Sequence, residues 1–526
     1  MDLQLFIQWL AENSISLYEG ISIIQTSDVG VAVVANSDEA ILHPTTVAAI
    51  PKAAILSVRS CTLAEHIDWV PYGHGATLAL SLALYSELLK GEASRWYPYL
   101  QSLPSEPVPI ARLWVDAAAF PNDLDAQEAS QWIQGTEVQW ELRDDDGSLV
   151  MDETYAFYKS DVQPLLDSIG APSTLRGFLH AYSLVCSRAF LVDAYHGLSM
   201  VPVADVFNHS HENHVQLASE FDVCPVCGSL FECPHDREDV STQPSKEGTA
   251  SNQMSDPADT VEMVTVRPVP PRSEVFNTYG ADLSNASLLA RYGFTLEGGE
   301  TDVVTFGWPG SGISLEEDGD GEVFLKVYGQ LREDLARILK NSSLVYVPKT
   351  LDGTPRLLSV NSDGQASLGL FIWAVWNALA QQPPQELDGM SEIDLLRALP
   401  RFLTAVAMAV LEIEALRDEA DDASVDVEIS DDCHLVAGAA EALASLCRTR
   451  IAGMGKKDYR GAGADALNDL LDNIPLESVK TRLALEYLLS ERALLEACAI
   501  GWEELAAIVS GQSEVDEEMD MDDVEG

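Results

Sequence analysis

The stretch VPVADVFNHSHENH, residues Val201 to His214, decides how this chain is interpreted, because it places three histidines within six residues. The first of them, His209, follows Asn208 directly, and a glutamate lies between the second and the third. Histidine and carboxylate side chains are common metal ligands, so a metal site is one interpretation. The other is that His209 belongs to a different kind of site, with His211 and His214 in a solvated turn after it.

Length and charge limit the classes of protein that fit. A chain of 526 residues is long enough for two or three domains. Its net charge of -53 disfavours binding to nucleic acid or to anionic membranes and favours a basic protein partner. The last stretch, residues 513–526, carries eight acidic residues and no basic one, which predicts a disordered acidic tail.

The termini and the cysteines indicate an intracellular protein. The N-terminal MDLQLFIQWLAENS has no basic n-region, so we expect no signal peptide. The apolar run FLTAVAMAVLEIEAL is interrupted by Glu412 and Glu414, so it does not predict a membrane span. The eight cysteines do not resemble a disulfide framework. We expect a monomer in the cytoplasm, the nucleus or both, without a membrane partner.

Patterning divides the chain into an α+β part and a helical part. Short strand-like runs such as GVAVVA and AAILSV lie near the N-terminus, and helical periodicity follows them. From about residue 315 long apolar segments with helical spacing dominate, for example SVKTRLALEYLLSERALLEACAIGWEELAAIVSG. The sequence therefore predicts an irregular α+β domain, then an all-helical domain, then the acidic tail.

Two segments read together resemble a known family. SRAFLVDAYHGLSMVPVADVFNHS (Ser187–Ser210) and SEVFNTYGADLSNASLLARYGF (Ser273–Phe294) resemble the two C-terminal signature motifs of SET-domain protein methyltransferases. The similarity is greatest to the branch of the Rubisco large-subunit lysine methyltransferase and the fungal ribosomal-protein lysine methyltransferases. EASRWYPYLQSLP (Glu92–Pro104) and WIQGT (Trp132–Thr136) resemble further landmarks of that branch.

The resemblance implies a fold and domain limits. It implies an α+β SET domain with a β-clip pseudoknot and a helical insertion, followed by an all-α C-terminal substrate-binding domain. On this basis residues 1–310 form a split SET domain, with the helical insertion at about 78–175. Residues 311–512 form the C-terminal domain and residues 513–526 the tail.

The resemblance also gives roles to particular residues. Asn208 and His209 would hold S-adenosylmethionine in a segment that enters the pseudoknot, which would remove His209 from any metal site. Tyr279 would place its hydroxyl where the methyl group meets the acceptor amine, and Tyr292 would form the wall of the lysine channel and contact the substrate. The alternative for Tyr279 is an ordinary core tyrosine in the turn before Gly280.

Two charged residues belong to the same motifs. By the family pattern Arg188 of SRAF contacts the cofactor or the incoming lysine, and Asp205 of ADVFNH contacts the lysine. Their alternative role is a structural ion pair with no part in binding.

The first family motif departs from its usual form. The family has Glu-Gly-x-Gly before a strand, whereas this chain has TSDVGVAVVA, which keeps Gly30 but has Ser27 and Asp28 at the earlier positions. Asp28 is still able to meet the ammonium group of the cofactor, so we take Asp28 and Gly30 as candidate cofactor contacts. The backbone approach that a second glycine permits is lost.

A second constellation has the chemistry of a metal site. CPVCGSLFECPH contains Cys224, Cys227, Cys233 and His235, four soft ligands in twelve residues. A C-x2-C turn followed by glycine presents two thiolates to one tetrahedral ion, and the nearby Cys and His complete a Cys3His set. The sequence predicts a structural zinc in an insertion at about residues 217–260; the alternative is an exposed loop with idle thiols.

These patterns predict an enzyme, an S-adenosylmethionine-dependent protein-lysine N-methyltransferase acting on a basic protein. A ribosomal protein is the substrate by family analogy alone. Two alternatives stay open. The acceptor is a histidine, or the chain is an inactive SET scaffold that serves as an acidic binding module or chaperone for a basic partner.

Overall fold

The chain folds into two compact units. The structure, a computed structural model, describes residues 3–26, 30–115, 120–144, 146–236, 259–307, 313, 320–348, 357–383, 385–419 and 433–510. Unit 1 consists of Met1–Gln127, Glu141–Leu283 and Ser287–Phe294. Unit 2 consists of Glu128–Trp140, Ser284–Ala286 and Thr295–Gly526. The domain limits inferred from the sequence stay a prediction.

Helices and strands alternate irregularly along the chain. The helices are α1 (Leu3–Glu12), α2 (Gly73–Lys90), α3 (Tyr97–Leu100), α4 (Leu124–Trp132), α5 (Glu137–Glu141), α6 (Val150–Phe157), α7 (Gln163–Ser168), α8 (Leu175–Arg188), α9 (Asn285–Arg291), α10 (Asp320–Ile338), α11 (Leu368–Gln381), α12 (Glu392–Ala398), α13 (Pro400–Glu419), α14 (Cys433–Gly453), α15 (Ala464–Asn473) and α16 (Val479–Val509). The strands are β1 (Ser16–Leu17), β2 (Ile21–Thr26), β3 (Gly30–Ala35), β4 (Thr46–Pro51), β5 (Leu56–Ser57), β6 (Ala189–Leu191), β7 (Leu198–Met200), β8 (Val215–Ala218), β9 (Thr260–Thr265), β10 (Val303–Thr305), β11 (Val345–Tyr346), β12 (Ser359–Asn361) and β13 (Ala366–Ser367).

Unit 1 is built from small antiparallel sheets. Their strand orders are β1-β4-β9-β8, β5-β7-β6 and the hairpin β2-β3. The residues of β9 alternate between partly and fully buried positions, as half-buried strands require, whereas β4 buries Val47, Ala48 and Ile50 across a β-bulge. Strands of two to six residues explain why the sequence shows only short β-like runs there.

The two motif segments of the sequence lie side by side in unit 1. The N–H of Asn277 donates to the carbonyl of Asn208 at 2.8 Å, and the N–H of Ser210 donates to the carbonyl of Asn277 at 3.0 Å. On its other side the later segment pairs with β3, where the N–H of Val275 donates to the carbonyl of Val33 at 2.8 Å. The later segment, Ser273–Phe294, is therefore hydrogen-bonded both to the Ser187–Ser210 segment and to β3, the arrangement expected of the pseudoknot.

The Cys/His insertion leaves and re-enters one sheet. Strands β8 and β9 are antiparallel neighbours, so the chain between them starts and ends at adjacent points. At the return, the N–H of Lys52 donates to the carbonyl of Asp259 at 3.1 Å. The polar stretch at 237–258, predicted as a flexible linker, lies outside the described residues, as do Asp28 and the acidic tail.

Unit 2 is mainly helical. Helix α16 buries Leu485, Leu488, Leu495 and Trp502, whose spacing of three, seven and seven residues places them on one face. The sequence predicted an all-helical domain over residues 311–512, whereas strands β11 to β13 lie within that range and pair with β10, which precedes it. They form a sheet of order β10-β12-β13-β11 with strands of only two or three residues, too short to leave a periodic pattern.

Unit 2 also contains a buried charge cluster. The guanidinium Nη2 of Arg450 lies 3.1 Å from Glu137 Oε1 and 3.3 Å from Glu491 Oε1. The N–H of Thr305 donates to Glu137 at 2.9 Å. Burial raises the pKa of Glu137 to about 7, although the charge of Arg450 opposes the shift.

Across the parts of the chain that the structure covers, no helix combines the length and hydropathy needed to cross a bilayer.

Candidate functional site

Arg188 lies where helix α8 gives way to strand β6. The helix begins after Thr174, whose side-chain oxygen accepts a hydrogen bond from the N–H of Gly177 at 3.1 Å. At the other end, Nη1 of Arg188 donates to the backbone carbonyl of Asp205 at 2.8 Å and lies 4.0 Å from its Oδ2. The guanidinium is thus held mainly by a backbone hydrogen bond, and its ion pair with the carboxylate of Asp205 is at the outer distance limit.

The carboxyl group of Asp205 is buried, and only one of its two oxygens is hydrogen-bonded among the described residues. Its side chain is 1% exposed, and the hydroxyl of Tyr99 donates to Oδ2 at 2.9 Å. Oδ1 has no hydrogen-bond partner among the described residues. Burial raises the pKa of Asp205 to about 6, although the charge of Arg188 and the hydrogen bond from Tyr99 lower it. An unpaired oxygen on a buried carboxyl group is a place for an incoming donor.

The backbone beside Asp205 is strained. Val203 is fully buried and has φ 76° and ψ -47°, immediately before the 3-10 turn Ala204–Val206. Positive φ in a β-branched residue is rare and costs on the order of 1–3 kcal/mol. The surrounding core holds Val203 in this conformation, and the turn directs Asp205 toward Arg188 and Tyr99.

Tyr279 is packed within a group of aromatic rings. It stacks on His209 (5.1 Å between centroids, 21°) and on Tyr292 (4.8 Å, 23°), and the edge of Phe294 meets its ring. The N–H of Tyr279 donates to His209 Nδ1 at 3.1 Å, and its hydroxyl donates to the carbonyl of Phe207 at 3.2 Å. Both ends of this residue are therefore fixed by the Phe207–His209 stretch.

The pKa shifts define the protonation states of these rings. Burial raises the pKa of Tyr279 to about 12 and also raises the pKa of Tyr292. Both phenols consequently stay protonated near neutral pH, where they act as hydrogen-bonding groups and not as bases. Burial and the neighbouring His211 lower the pKa of His209 to about 4, so its imidazole is neutral. Because Nδ1 accepts from Tyr279, its proton is on Nε2.

One cavity brings four of the predicted residues together. Arg188, Asp205, Tyr279 and Tyr292 line a cavity of about 150 Å³, together with strand β6 and two flanking residues. By the volume that water takes in the liquid, this space holds about five water molecules. Its size suits the end of an alkyl amine side chain and not a nucleoside.

The remaining predicted residues of the described ranges lie outside that cavity. The amide Nδ2 of Asn208 donates to Glu274 Oε1 at 2.6 Å, so its side chain is already engaged. Gly30 is exposed at the start of β3 and has φ 80°. Strand β3 meets the same later segment through a bridge between Val34 and Glu274. His214, from the opening stretch, accepts a hydrogen bond on Nδ1 from the N–H of Phe276 at 3.2 Å.

Curated relatives match this chain at low identity. Ribosomal lysine N-methyltransferase 3 of Saccharomyces cerevisiae is 26% identical over 286 residues, 44% of this chain and 51% of that protein. N-lysine methyltransferase SETD6 of Bos taurus is 24% identical over 272 residues, 47% of this chain and 46% of that protein. The chain thus spans about half the length of the curated relatives it matches. No family model matches it.

Solved structures match over nearly the whole chain. The SET domain of LSMT bound to lysine and AdoHcy gives a TM-score of 0.54 over 95% of this chain and 90% of that one, at 16% identity. Rubisco LSMT bound to AdoMet gives 0.54 over 96% and 92%, at 15% identity. The chain has the SET fold. The predicted α+β SET fold with a helical region is thus confirmed, and the named relatives and structures that it resembles are lysine methyltransferases of the branch that contains Rubisco LSMT.

Sequence reasoning missed several partners within this SET domain. Tyr99, Phe207, Glu274 and Phe294 each contact a predicted residue, as described above. All four lie inside stretches that were singled out for their resemblance, so a search for polar and aromatic neighbours in those stretches would have found them. Their particular pairings depend on the threading of the two segments, which no local pattern encodes.

A glycine fixes the two aromatic residues on the later SET segment. Gly293 lies between Tyr292 and Phe294 and has φ 79°. A Cβ atom there would lie 2.9 Å from the backbone of Pro109, a separation that requires the backbone to move. The motif therefore needs glycine at this position for Tyr292 and Phe294 to reach Tyr279.

The Cys/His insertion of the SET domain forms a compact cluster. The ligand atoms of Cys224, Cys227, Cys233 and His235 all lie within 4.8 Å of one another. His235 Nδ1 is 3.7 Å from the sulfur of Cys224 and 3.6 Å from that of Cys233. Gly228, with φ 73°, closes the first turn by donating its N–H to the carbonyl of Cys224 at 2.8 Å.

The thiol of Cys224 is prepared to ionise. Burial raises the pKa of this thiol, but the N–H groups of Val226 and Cys227 and the neighbouring thiols lower it by more. The resulting pKa is about 7. N–H groups that face a sulfur atom stabilise the thiolate, the form that binds metal.

Proposed function

We propose that this protein transfers a methyl group from S-adenosylmethionine to the side-chain amine of a lysine in a basic protein. The observation that carries the proposal is the 150 Å³ cavity, where Tyr279, Tyr292, Arg188 and Asp205 meet. It combines aromatic walls with a buried carboxyl oxygen that lacks a partner. Those are the features that an alkyl chain ending in an ammonium group needs.

The acceptor amine has to lose a proton before it reacts. At pH 7 the deprotonation of a free lysine costs roughly 4.6 kcal/mol. The aromatic walls lower this cost, because desolvation favours the neutral amine. Asp205 Oδ1 would attract the ammonium group, and its raised pKa makes it a better proton acceptor than an ordinary aspartate. The proton would thus pass from the amine to Asp205.

The tyrosines position the amine and do not take its proton. With a pKa of about 12, Tyr279 keeps its hydroxyl hydrogen, which it donates to the carbonyl of Phe207. The lone pairs of the same oxygen are left to accept a hydrogen bond from the amine. Good positioning lowers the barrier of such reactions by roughly 7–11 kcal/mol.

When bound, S-adenosylmethionine supplies an electrophilic methyl group on a sulfonium. Asn208, His209 and Gly30 would hold it, with Arg188 at the edge of the cavity; Asp28 is the corresponding candidate in the part of the chain that is not described. One observation on His209 supports its role in holding the cofactor. The buried Nε2–H of His209 has no hydrogen-bond partner among the described residues, so it can donate to a ligand.

The substrate protein is expected to be basic. The chain has 84 acidic and 31 basic residues, so long-range attraction selects cationic partners. The relative from yeast is named a ribosomal lysine N-methyltransferase. We therefore propose a ribosomal protein as the substrate.

The test is methyl transfer to purified ribosomal proteins from labelled S-adenosylmethionine. Hydrolysis of the product and separation of methyllysine from methylhistidine identifies the acceptor. Tyr279→Phe keeps the ring stacks and should lower the rate by about 10²-fold, the usual cost of one preorganised polar group. Tyr18→Phe, on an exposed tyrosine of the same unit, is the matched control and should act at the parent rate. Binding of a basic protein without any transfer would favour the inactive scaffold instead.

We also propose that the Cys/His cluster holds a structural zinc ion. A tetrahedral zinc with Zn–S of about 2.3 Å and Zn–N of about 2.05 Å separates sulfur from nitrogen by about 3.6 Å. The two separations of 3.7 and 3.6 Å from His235 fit that geometry. Four protein ligands close the coordination shell, which leaves no position for a substrate.

A further inference from the structure

A second, larger cavity lies beside the Cys/His cluster in unit 1. Its volume is about 680 Å³. One wall comes from the cluster, through Cys227 to Phe231, and another from Tyr195 and His196 at the tip of the β6-β7 hairpin. Two arginines, Arg59 and Arg95, also line it. The methyl-transfer proposal gives this cavity no role.

The guanidinium group of Arg59 is held by aromatic rings and not by an acid. Its central carbon lies 4.5 Å from the centroid of Trp69 and 4.7 Å from that of Tyr195. Its buried Nε has no hydrogen-bond partner, and no carboxylate of the described residues pairs with it. Cation–π contacts hold the group without neutralising its charge, so its N–H donors remain available to an anion.

Arg95 adds a second guanidinium of the same kind. It stacks over Trp96 at 3.9 Å and makes a long hydrogen bond of 3.4 Å to the carbonyl of Ser60. No carboxylate within the described ranges forms an ion pair with it. In contrast, the buried Lys52 is paired with two carboxylates, Asp193 and Asp259, each at 2.8 Å, and both Lys52 and Asp259 line the cavity. The cavity therefore presents two guanidinium groups that form no ion pair with a carboxylate of the described residues.

The wall from the Cys/His cluster is apolar. Phe231 is 72% exposed and lines the cavity together with Leu230. Burial of this ring against a ligand would remove its apolar surface from water, which favours binding. The cavity thus offers an apolar contact next to two guanidinium groups.

We propose that this cavity binds an acidic peptide segment of a partner protein, with two carboxylates on Arg59 and Arg95 and an apolar side chain against Phe231. Arginine pairs with carboxylates through two parallel hydrogen bonds. The net charge of -53 disfavours a nucleic acid, whose many phosphates would meet repulsion beyond these two cations. A small anion would leave Phe231 and most of the 680 Å³ unused.

The proposal does not rest on methyl transfer, and its test uses the full chain without S-adenosylmethionine. The probe is a fluorescein-labelled peptide, Gly-Glu-Asp-Phe-Asp-Glu-Gly, and binding is measured by fluorescence anisotropy at physiological ionic strength, where repulsion beyond about 8 Å is screened. Arg59→Gln and Arg95→Gln should each weaken binding at least about tenfold, because a charge-assisted hydrogen bond is lost. Phe231→Ala should weaken it several-fold.

The controls separate specific from general effects. Arg176→Gln removes one positive charge from an exposed arginine that pairs with Glu106 and does not line the cavity, so it should bind the probe like the parent. Arg59→Lys keeps the charge without the forked geometry and should fall between the parent and Arg59→Gln. A probe with Asn and Gln in place of its Asp and Glu should not bind.

Three results would overturn the proposal. They are equal binding of the Asn/Gln probe, no loss with Arg59→Gln and Arg95→Gln in chains that keep the parent unfolding temperature, and full displacement of the acidic probe by millimolar phosphate. The last result would assign the cavity to a free anion. Since methyl transfer to ribosomal proteins is measured separately, either proposal can fail while the other stands.

Discussion

Asp205→Asn should make the protein more stable and less active. Folding raises the pKa of this carboxyl from 3.8 to about 6, which corresponds to a cost of roughly 3 kcal/mol for keeping it ionised at pH 8. Asparagine has the same shape and can still accept the hydrogen bond from Tyr99, but it carries no charge. Arg188 loses a neighbour 4.0 Å away but is 29% exposed, so water replaces most of that interaction.

The sign of the pH dependence follows from the direction of the shift. Between pH 3.8 and about 6 the folded protein holds a proton that the unfolded chain releases, so the parent loses stability as the pH rises through this window. The advantage of Asp205→Asn should therefore be complete at pH 8 and close to zero below pH 4. Urea unfolding at both pH values, followed by fluorescence, measures the difference.

Activity should change in the opposite direction. The variant loses the charged oxygen proposed to receive the lysine, and a charge-assisted hydrogen bond contributes about 1.5–3 kcal/mol. We expect kcat/KM for the protein substrate to fall by about 10- to 10²-fold, while affinity for S-adenosylmethionine stays near that of the parent. An Asp205→Asn protein no more stable than the parent at pH 8, or equally active, would refute this account of the buried carboxyl.

Three further predictions concern other parts of the molecule. Asn208→Ala removes the amide that donates to Glu274 at 2.6 Å and leaves this carboxylate without that donor near the cofactor residues. The affinity for S-adenosylmethionine, measured by calorimetry, should fall about tenfold. An unchanged affinity would count against the cofactor role of Asn208. Elemental analysis should find one zinc per chain, and Cys224→Ser with Cys227→Ser should abolish it while the far-ultraviolet spectrum is kept; global unfolding would contradict a local site. The raised pKa of Glu137 favours the folded state only at low pH, so the free energy of unfolding of the parent should decrease between pH 4.5 and about 7. In Glu137→Gln this decrease should be smaller. The same decrease in the variant and the parent would show that Glu137 does not titrate in this range.

The sequence predicted the SET fold because its decisive residues are contiguous. The two motif segments contain Asn208, His209, Tyr279 and Tyr292, and resemblance alone was sufficient to expect them together. The metal-ligand cluster was predictable for the same reason, since its four residues lie within twelve positions and meet in one loop. Local spacing determines local geometry.

The features that sequence reasoning missed come from long-range packing. Tyr99 is hydrogen-bonded to Asp205, which is 106 residues later in the sequence. Arg59 contacts Tyr195, which is also distant in the sequence. Neither pair shows any periodicity or spacing in the sequence. The small sheet of unit 2 was missed for another reason, because strands of two or three residues are shorter than any detectable alternation.

Energetic costs are concentrated in one short stretch of unit 1. Val203 has positive φ, Asp205 is a buried carboxyl group with an unpaired oxygen, and the Nε2 of His209 is buried without a hydrogen-bond partner, all within seven residues. Each feature lowers the free energy of unfolding, and none is required to form the surrounding sheets. Proteins keep such costs where the ligand relieves them, since a bound donor or acceptor satisfies the unpaired atoms. We therefore propose that the stretch that first suggested a metal site is the place where lysine and cofactor meet, and that removing the charge of Asp205 stabilises the fold at the expense of substrate binding.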